Sequence, residues 1–220
     1  AAFARNAPKI TPKTAVFVFG TTWNNAVHYD TLIDVRDNQV YRTVTIGTQT
    51  WMAQNLNHAS DSSWCYENAA DSCLKYGRLY TWPAAMNLSS MNDDSLVGGS
   101  DSLQQGVCPT GWHLPSRSEW VGLWTATGTT SLTSTHMRST NGWRIGAADD
   151  QYGFRLLPAG ERTRDQSLST PVFQQSGSSS ALWSATEAAA WSGYANNIFS
   201  SNQIFEYYKY RGHGVRCVKD

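Results

Sequence analysis

Residues 108–120, "CPTGWHLPSRSEW", carry the local signal that decides the fold. Ser116 stands three residues before Glu119, which is the spacing of a capping box. In that motif the Ser hydroxyl accepts the backbone N–H of the Glu, and the Glu carboxylate accepts the backbone N–H of the Ser. Pro115 ends the extended segment before the pair. The stretch therefore predicts the start of a helix.

The residues after the capping box continue the helical pattern. Trp120, Leu123 and Trp124 recur at helical spacing and form an apolar stripe, and Gly128 is a suitable stop. His113 is a lone histidine near tryptophans, which favours a structural role over a catalytic one. With the glutamate explained as a cap, this stretch predicts no active site.

Bulk composition argues against several classes of partner. The chain has 220 residues, and its 17 Lys plus Arg balance 17 Asp plus Glu. A neutral chain has no general field that attracts nucleic acid. No apolar run approaches the length of a transmembrane helix. We therefore expect no nucleic-acid partner and no transmembrane segment.

Motifs for catalysis and for metal binding are missing from the sequence. The other histidines form no closely spaced ligand pair, and there is no Gly-rich phosphate loop or GxSxG elbow. Asp149 and Asp150 do not fit a calcium-binding EF-hand loop and are interpreted as a solvated loop. We expect no enzyme activity, no cofactor and no metal. These other histidines are His28, His58, His136 and His213.

Four cysteines point to disulfides and an oxidising compartment. Cys65 and Cys73 are close enough in sequence for a local bridge, and Cys108 and Cys217 would then join the middle of the chain to its end. Four cysteines allow three pairings, and four reduced thiols are the alternative. No CxxC pair or Cys/His cluster favours zinc. We therefore expect two disulfides and an extracellular or cell-surface location.

The rest of the sequence predicts short strands separated by irregular loops. The runs 31–36 and 39–46 flank Asp37-Asn38 and predict a hairpin, and Pro83 can begin a second helix. Further strands are expected at 181–187, 203–211 and 214–220, and loops at 57–73 and 163–180.

The chain divides into a short lead-in and one domain. Residues 1–30 are predicted to be an extended N-terminal segment with a possible strand at 14–19. Residues 31–220 contain no internal repeat and no clear linker, so they are expected to form a single domain.

Six motifs, in this order along the chain, resemble a known family. They are "DVRDNQVYRTVTIGTQTWMAQNLNH", "CY…C…YGRLYTWPAAM", "VCPTGWHLPSRSEW", "YGFRLLPAGER", "LWSATE" and "GVRCVKD". Together they are similar to the Fibrobacter succinogenes major paralogous domain over about residues 34–220. That family resembles the C-type lectin-like fold of the formylglycine-generating enzyme group. The resemblance implies an α+β, C-type lectin-like fold with short strands, two main helices and long irregular loops.

The resemblance does not imply that group's chemistry. Those enzymes use two neighbouring cysteines near the C-terminus, whereas Cys217 stands alone here. An oxidase is therefore the least favoured alternative for this chain.

By a second resemblance, residues 188–213 are similar in position to the variable region of retroelement-diversified proteins of this fold, which are often surface binders. If 203–211 is a strand, Phe205 and Tyr207 share one face, while Tyr208 and Tyr210 share the other. Large aromatics on both faces indicate either a well-packed terminal hairpin or a surface presented to a partner.

We expect a secreted or cell-surface, adhesin-like binding module that recognises a protein or carbohydrate ligand on a cell or particle. The alternative is a structural or tip subunit of a pilus or filament, with neighbouring subunits as partners. The candidate ligand-binding residues are Trp191, Tyr194, Asn196, Phe199, Phe205, Tyr207, Tyr208, Tyr210 and His213.

Overall fold

The chain is α+β. The computed structural model describes residues 22–89, 94–97, 103–128, 134–144, 146, 148–164, 170–198 and 202–220. The predicted strand at 14–19 lies outside these residues. The strands are β1 (Asp30–Asp34), β2 (Gln39–Ile46), β3 (Gln49–Met52), β4 (Ser63–Trp64), β5 (Leu79–Tyr80), β6 (Trp112–His113), β7 (Glu161–Arg164), β8 (Pro171–Gln174), β9 (Ser180–Ala189), β10 (Ser192–Ile198), β11 (Asn202–Tyr208) and β12 (Val218–Lys219).

Helices occupy little of the described chain. The α-helices are α1 (Ala70–Tyr76), α2 (Trp82–Ala85) and α3 (Arg117–Thr127), and short 3-10 helices lie at Tyr66–Asn68 and Ser134–Met137. None of the described helices has the length and apolar character needed to cross a membrane.

The main sheet joins the two ends of the domain. Its five strands are antiparallel neighbours in the order β1-β2-β3-β12-β6. The predicted hairpin is confirmed, but its loop has the four residues 35–38 rather than Asp37-Asn38 alone, since Asp34 is the residue that pairs with Gln39. Asn38, at the end of this loop, adopts a positive φ of 60°. The last strand, β12, lies between β3 and β6, so the C-terminal segment is an internal part of the sheet.

The predicted capping box starts α3. Ser116 Oγ accepts the Glu119 backbone N–H at 3.2 Å, and the Ser116 backbone N–H donates to Glu119 Oε2 at 2.8 Å. The helix ends at Gly128, which is left-handed at φ 64°. Trp120 is fully buried, and its ring lies 4.8 Å from that of Trp51 in β3. The capped helix is therefore fixed onto the main sheet.

His113 connects β6, α3 and the last residue of the chain. Its Nε2 lies 2.7 Å from Glu119 Oε1, and its Nδ1 lies 2.8 Å from Asp220 Oδ1. Burial disfavours the charged ring, but hydrogen bonds to both carboxylates outweigh it and raise the pKa of His113. The Glu119 carboxylate thus has two structural partners, the helix cap and this histidine.

Both expected disulfides are present. Cys65–Cys73 joins the 3-10 segment to α1, across a sequence separation of 8. Cys108–Cys217 spans a separation of 109, and both of its cysteines are fully buried. The second bridge attaches the segment before β12 to the middle of the chain.

Residues 212–218, here called the central segment, are buried throughout. The backbones of His213 and Tyr80 exchange two hydrogen bonds, at 2.8 and 3.0 Å. Gly214 donates to the carbonyl of Ala181 at 2.9 Å and accepts from Trp183 at 3.0 Å. Other bonds from the central segment reach Met52 in β3, Leu56 after β3, and Arg162 in β7. This one segment therefore links the main sheet to three smaller sheets.

Tryptophan rings fill the two clusters of the core. In the first, Trp82 Nε1 donates to the Ser184 carbonyl at 2.9 Å, and Trp183 Nε1 donates to the Tyr80 carbonyl at 2.7 Å. The second surrounds the ring of Trp51 and includes Val218 of the central segment. Most of the tryptophan content is thus explained by core packing.

The position of His213 corrects a sequence prediction. His213 was expected at a ligand-binding surface, but it is 0% exposed. Its ring packs edge-on against Trp183 at 4.6 Å and Tyr207 at 4.7 Å, and among the described residues neither ring nitrogen has a hydrogen-bond partner. Burial lowers the pKa of His213 to about 4. Its neighbours in the central segment are all buried, which draws this residue into the core.

Several element predictions also need correction. The predicted loop 57–73 contains most of α1, so the described part has three helices rather than two, and the predicted loop 163–180 contains β8. Asp150 is 1% exposed and does not belong to a solvated loop. Trp23 packs against the second core cluster, so residues before position 31 also contact the domain.

Replacing Cys108 and Cys217 together by alanine is expected to lower the free energy of unfolding by about 5 kcal/mol, because disulfide stabilisation grows with the length of the closed loop. Replacing Cys65 and Cys73 is the matched control, with an expected loss of about 3 kcal/mol. Urea unfolding of both variants measures the difference. A loss for the short-loop pair that equals or exceeds that for the long-loop pair would contradict the prediction.

His213→Leu is expected to weaken the acid sensitivity of the fold. An unfolded histidine takes up a proton near pH 6.5, whereas His213 in the folded chain does so near 4. The unfolded chain therefore binds more protons between these values, and wild-type stability falls as the pH drops through this window. Unfolding midpoints across that range should fall less steeply for His213→Leu.

The exposed His28 supplies the control for this measurement, because His28→Leu removes a histidine without changing the buried ring. Equal pH dependence in wild type and His213→Leu would show that the buried ring does not govern acid stability.

Candidate ligand-binding surface

The segment that the sequence singled out forms the outer part of a three-stranded antiparallel sheet. The strand order is β11-β10-β9, and β10 and β11 pair from Ser192↔Tyr208 to Ile198↔Asn202. Residues 180–185 of β9 are buried, so this strand anchors the sheet in the core. The predicted aromatic residues therefore lie on a hairpin that a buried strand supports.

Three large aromatic side chains of this hairpin lie at the surface. Trp191 is 56% exposed, Tyr208 50% and Phe205 45%. Full burial of a large apolar side chain stabilises a fold by roughly 1.5–3 kcal/mol. Because these three side chains are about half exposed, the folded state gains only part of that stabilisation from each. Trp191 and Tyr208 line one depression, and exposed aromatics that meet in this way are typical of interaction sites. Phe205 lies on the opposite face of β11 from Tyr208, because side chains alternate along a strand. With Tyr210, Arg164 and Arg211, Trp191 and Tyr208 are here called the aromatic surface.

Stacking fixes part of the aromatic surface. The rings of Tyr208 and Tyr210 are parallel within 12°, with centroids 5.3 Å apart. The guanidinium of Arg164, at the end of β7, lies 4.5 Å from the centre of the Tyr210 ring. Exposed cation–π contacts of this kind contribute roughly 0.5–1 kcal/mol. The stack preorders two phenol rings, which reduces the entropy lost when a ligand binds.

An open depression of about 310 Å³ lies within the aromatic surface. Arg211 forms one wall: its guanidinium lies 5.4 Å from the centre of the Tyr207 ring, and its Nη1 donates to both carboxylate oxygens of Glu161 at 3.1 Å. Cationic, hydroxyl and aromatic groups therefore meet in one concave area. Its lining residues are Trp191, Ser192, Glu206, Tyr207, Tyr208 and Arg211.

The remaining predicted residues take different positions. Tyr207 is half-buried against the first core cluster and the His213 ring, so it supports the surface from beneath. Tyr194 is half-buried, with Arg117 5.2 Å from its ring centre. The side chain of Asn196 and the whole of Phe199 lie outside the described part of the chain.

A buried ion pair holds the end of the hairpin. Lys209 is 0% exposed; its Nζ donates to the Glu187 carboxylate and, at 2.7 Å, to the Ser95 carbonyl. It also lies 4.6 Å from the Trp82 ring. Glu187 accepts the backbone N–H of Val97 as well. Removing one partner of a buried ion pair typically lowers the stability of a fold by about 3–5 kcal/mol. The pair therefore fixes the position of the end of β11, next to the exposed Tyr208.

Sequence reasoning missed the two arginines of the aromatic surface. Arg211 was placed by the predicted strand 203–211 on the face of Phe205 and Tyr207, but β11 ends at Tyr208 and a turn with the Arg211 N–H bonded to the Tyr208 carbonyl positions it instead. Arg164 carries no such signal, since it lies on a different sheet far away in sequence.

One described group has the composition of a cation site. Ligand atoms of Asp34, Asp37 and His58 lie within 4.8 Å of one another. Both carboxylate oxygens of Asp34 already accept from Arg36, at 2.8 and 2.6 Å, and Asp37 Oδ2 lies 2.9 Å from His58 Nδ1. The arrangement is therefore a hydrogen-bonded cluster that stabilises the β1–β2 turn.

Comparison with known proteins identifies the family. A search of curated proteins and a search of solved structures each find no match. The model of the Fibrobacter succinogenes major domain matches residues 44–219, which is most of the chain. The protein therefore belongs to the Fibrobacter succinogenes major domain family.

Proposed function

We propose that this chain is a secreted or cell-surface binding module, and that its aromatic surface recognises a protein or glycan on another cell or particle. The observation that carries the proposal is the exposure of Trp191 and Tyr208 beside one depression of an anchored hairpin. Rigid aromatic side chains with adaptable serines and asparagines are the usual composition of binding surfaces. Flat rings of this kind also stack on sugars.

The proposal includes the diversification suggested by the sequence. Residues 190–213 would form a variable region whose outward side chains differ among copies. The support is the separation of roles within this segment, because Lys209 and His213 are buried whereas Trp191 and Tyr208 are exposed. Exposed positions tolerate substitution better than buried ones.

We also propose that the α+β fold is C-type lectin-like. The support is the position of β12, which pairs with β3 from the early part of the chain and with β6 from its middle. The late strand therefore lies inside a sheet that the early strands begin.

Two observations support an oxidising, extracellular location and a non-catalytic role. All four cysteines form disulfides, which persist in secreted and surface proteins. The same pairing leaves no free thiol for the chemistry of a formylglycine-type oxidase.

The filament alternative has one observation in its favour. Within the described residues β1 is an edge strand of the main sheet, and Ile33 and Val35 beside that edge are 44% and 70% exposed. An exposed edge can accept a strand from a neighbouring subunit. Both roles can coexist in a subunit at the tip of a filament.

The binding proposal is tested with the labelled full chain on protein and glycan arrays, followed by affinity measurements on the ligand found. Trp191→Ala with Tyr208→Ala is expected to weaken binding at least about 100-fold, since central aromatic side chains dominate binding energy. The melting temperature should change little, because both side chains are about half exposed.

Leu103→Ala with Val121→Ala is the matched control, because it removes two exposed apolar side chains outside the aromatic surface. This control should keep full affinity. Equal affinity for wild type and the aromatic double variant, or a large fall in the stability of that variant, would reject the aromatic surface as the binding site.

A further inference from the structure

A second concave region shares no lining residue with the depression in the aromatic surface. It has a volume of about 290 Å³ and lies between the start of β2, the residues after β3, and α1. We call it the amide cleft. Five of its lining residues carry a side-chain amide: Asn38, Gln39, Gln54, Asn55 and Asn57.

The charged groups of the amide cleft have one sign. Lys75, Arg155 and Arg216 line it, and no Asp or Glu is among the described residues that do so. Lys75 is exposed at the rim, whereas the two arginines are 3% and 1% exposed. Lys75 therefore offers its charge directly at the rim. The Arg155 guanidinium lies 4.1 Å from the centre of the Trp23 ring and its Nε donates to the Thr22 carbonyl, so the buried arginines add positive charge from behind the lining.

The charge of Arg216 is hydrogen-bonded but not neutralised by contact. Its Nε donates to Asn55 Oδ1 at 2.9 Å, and its two terminal nitrogens donate to the carbonyls of Phe154 and Arg155. All three acceptors are neutral. Burial lowers the pKa of Arg216 to about 9, so the guanidinium stays charged at neutral pH.

The nearby carboxylate, Asp150, compensates this charge only in part. It is 1% exposed, and its Oδ1 accepts the backbone N–H of Arg155 at 2.6 Å. Burial raises the pKa of Asp150 to about 7, although this hydrogen bond and both arginines favour ionisation. Burial therefore weakens the negative charge that faces the two arginines. Uncompensated buried positive charge favours the binding of an anion.

Side-chain donors in the lining are available to a ligand. Gln54 Oε1 accepts the backbone N–H of Arg42 at 2.9 Å, while its Nε2 has no partner among the described residues. The side-chain amide of Asn57 has none there either. Tyr41 Oη accepts the Asn57 backbone N–H at 3.0 Å and keeps its own proton to donate. Hydroxyl and carboxylate oxygens are the acceptors that such donors bind.

We propose that the amide cleft binds one small sugar acid, with its carboxylate paired to the cationic groups and its hydroxyls bonded to the amides. The volume is near the lower limit of about 300 Å³ for small-molecule pockets, which suits a single sugar ring. This site is independent of the ligand proposed for the aromatic surface.

Calorimetric titration of the full chain with D-galacturonate and D-glucuronate tests the proposal, with D-galactose and D-glucose as neutral controls. At least one acid should bind saturably and more weakly as sodium chloride is added, since its carboxylate meets fixed charges. The matching neutral sugar should bind at least about tenfold more weakly.

Two substitutions locate the site. Gln54→Glu keeps the shape and an acceptor for Arg42 but adds a like charge, so affinity for the acid should fall about tenfold or more. Lys75→Glu, at the exposed rim, should lower affinity by about twofold to fivefold. Lys219→Glu, which is exposed and outside the cleft, is the matched charge control and should bind normally.

Equal binding of neutral and acidic sugars would overturn the proposal, as would the absence of saturable binding by both acids. Unchanged affinity in Gln54→Glu and Lys75→Glu, with circular dichroism spectra like wild type, would do the same. Trp191→Ala with Tyr208→Ala should leave acid binding intact. Loss of binding in that variant would show that the acid binds at the aromatic surface, and it would reject the cleft as the binding site.

Discussion

The backbone hydrogen bonds of the central segment, residues 212–218, are the constraint on which the rest of the structure depends. This segment pairs with Tyr80, with Trp183 and with the end of β3, so one stretch holds together strands that belong to separate sheets. Each buried backbone group left without a partner would cost about 1–3 kcal/mol. The Cys108–Cys217 disulfide fixes the segment inside the fold, and its continuation into β12 completes the main sheet.

Both candidate sites are built on this constraint. β11 ends at Tyr208, one turn before the central segment. Lys209, which follows it, is buried and paired with Glu187, so it fixes the position of the exposed Tyr208 side chain. Arg216, inside the segment, supplies a cation to the amide cleft. A segment that is buried throughout therefore positions two surfaces with exposed outer side chains, such as Tyr208 and Lys75. The proposed binding function with a changeable surface would require this division of roles.

Sequence patterns predicted the features that depend on neighbouring residues, such as the capping box of Ser116 and the turn at Asn38. The disulfides were also predictable, because the chain has only four cysteines. Once the neighbouring Cys65 and Cys73 are joined, Cys108 and Cys217 are the two that remain. The burial of His213 was not, since it depends on packing against Trp183 and on pairing with Tyr80, which belong to two different sheets. The same limit applies to Arg164, which reaches the aromatic surface from another sheet. β10 was missed because "SGYANNI" contains few strand-forming side chains.

Amide hydrogen exchange on the folded chain tests the central claim most directly. The amides of His213 and Gly214, and that of Trp183 which bonds to the central segment, should be among the slowest to exchange and should exchange only on global unfolding. Amides of β11, at the outer edge of its sheet, should exchange faster through local opening. Fast exchange in the central segment, with slower exchange in β11, would show that the hairpin rather than the buried segment holds the fold together.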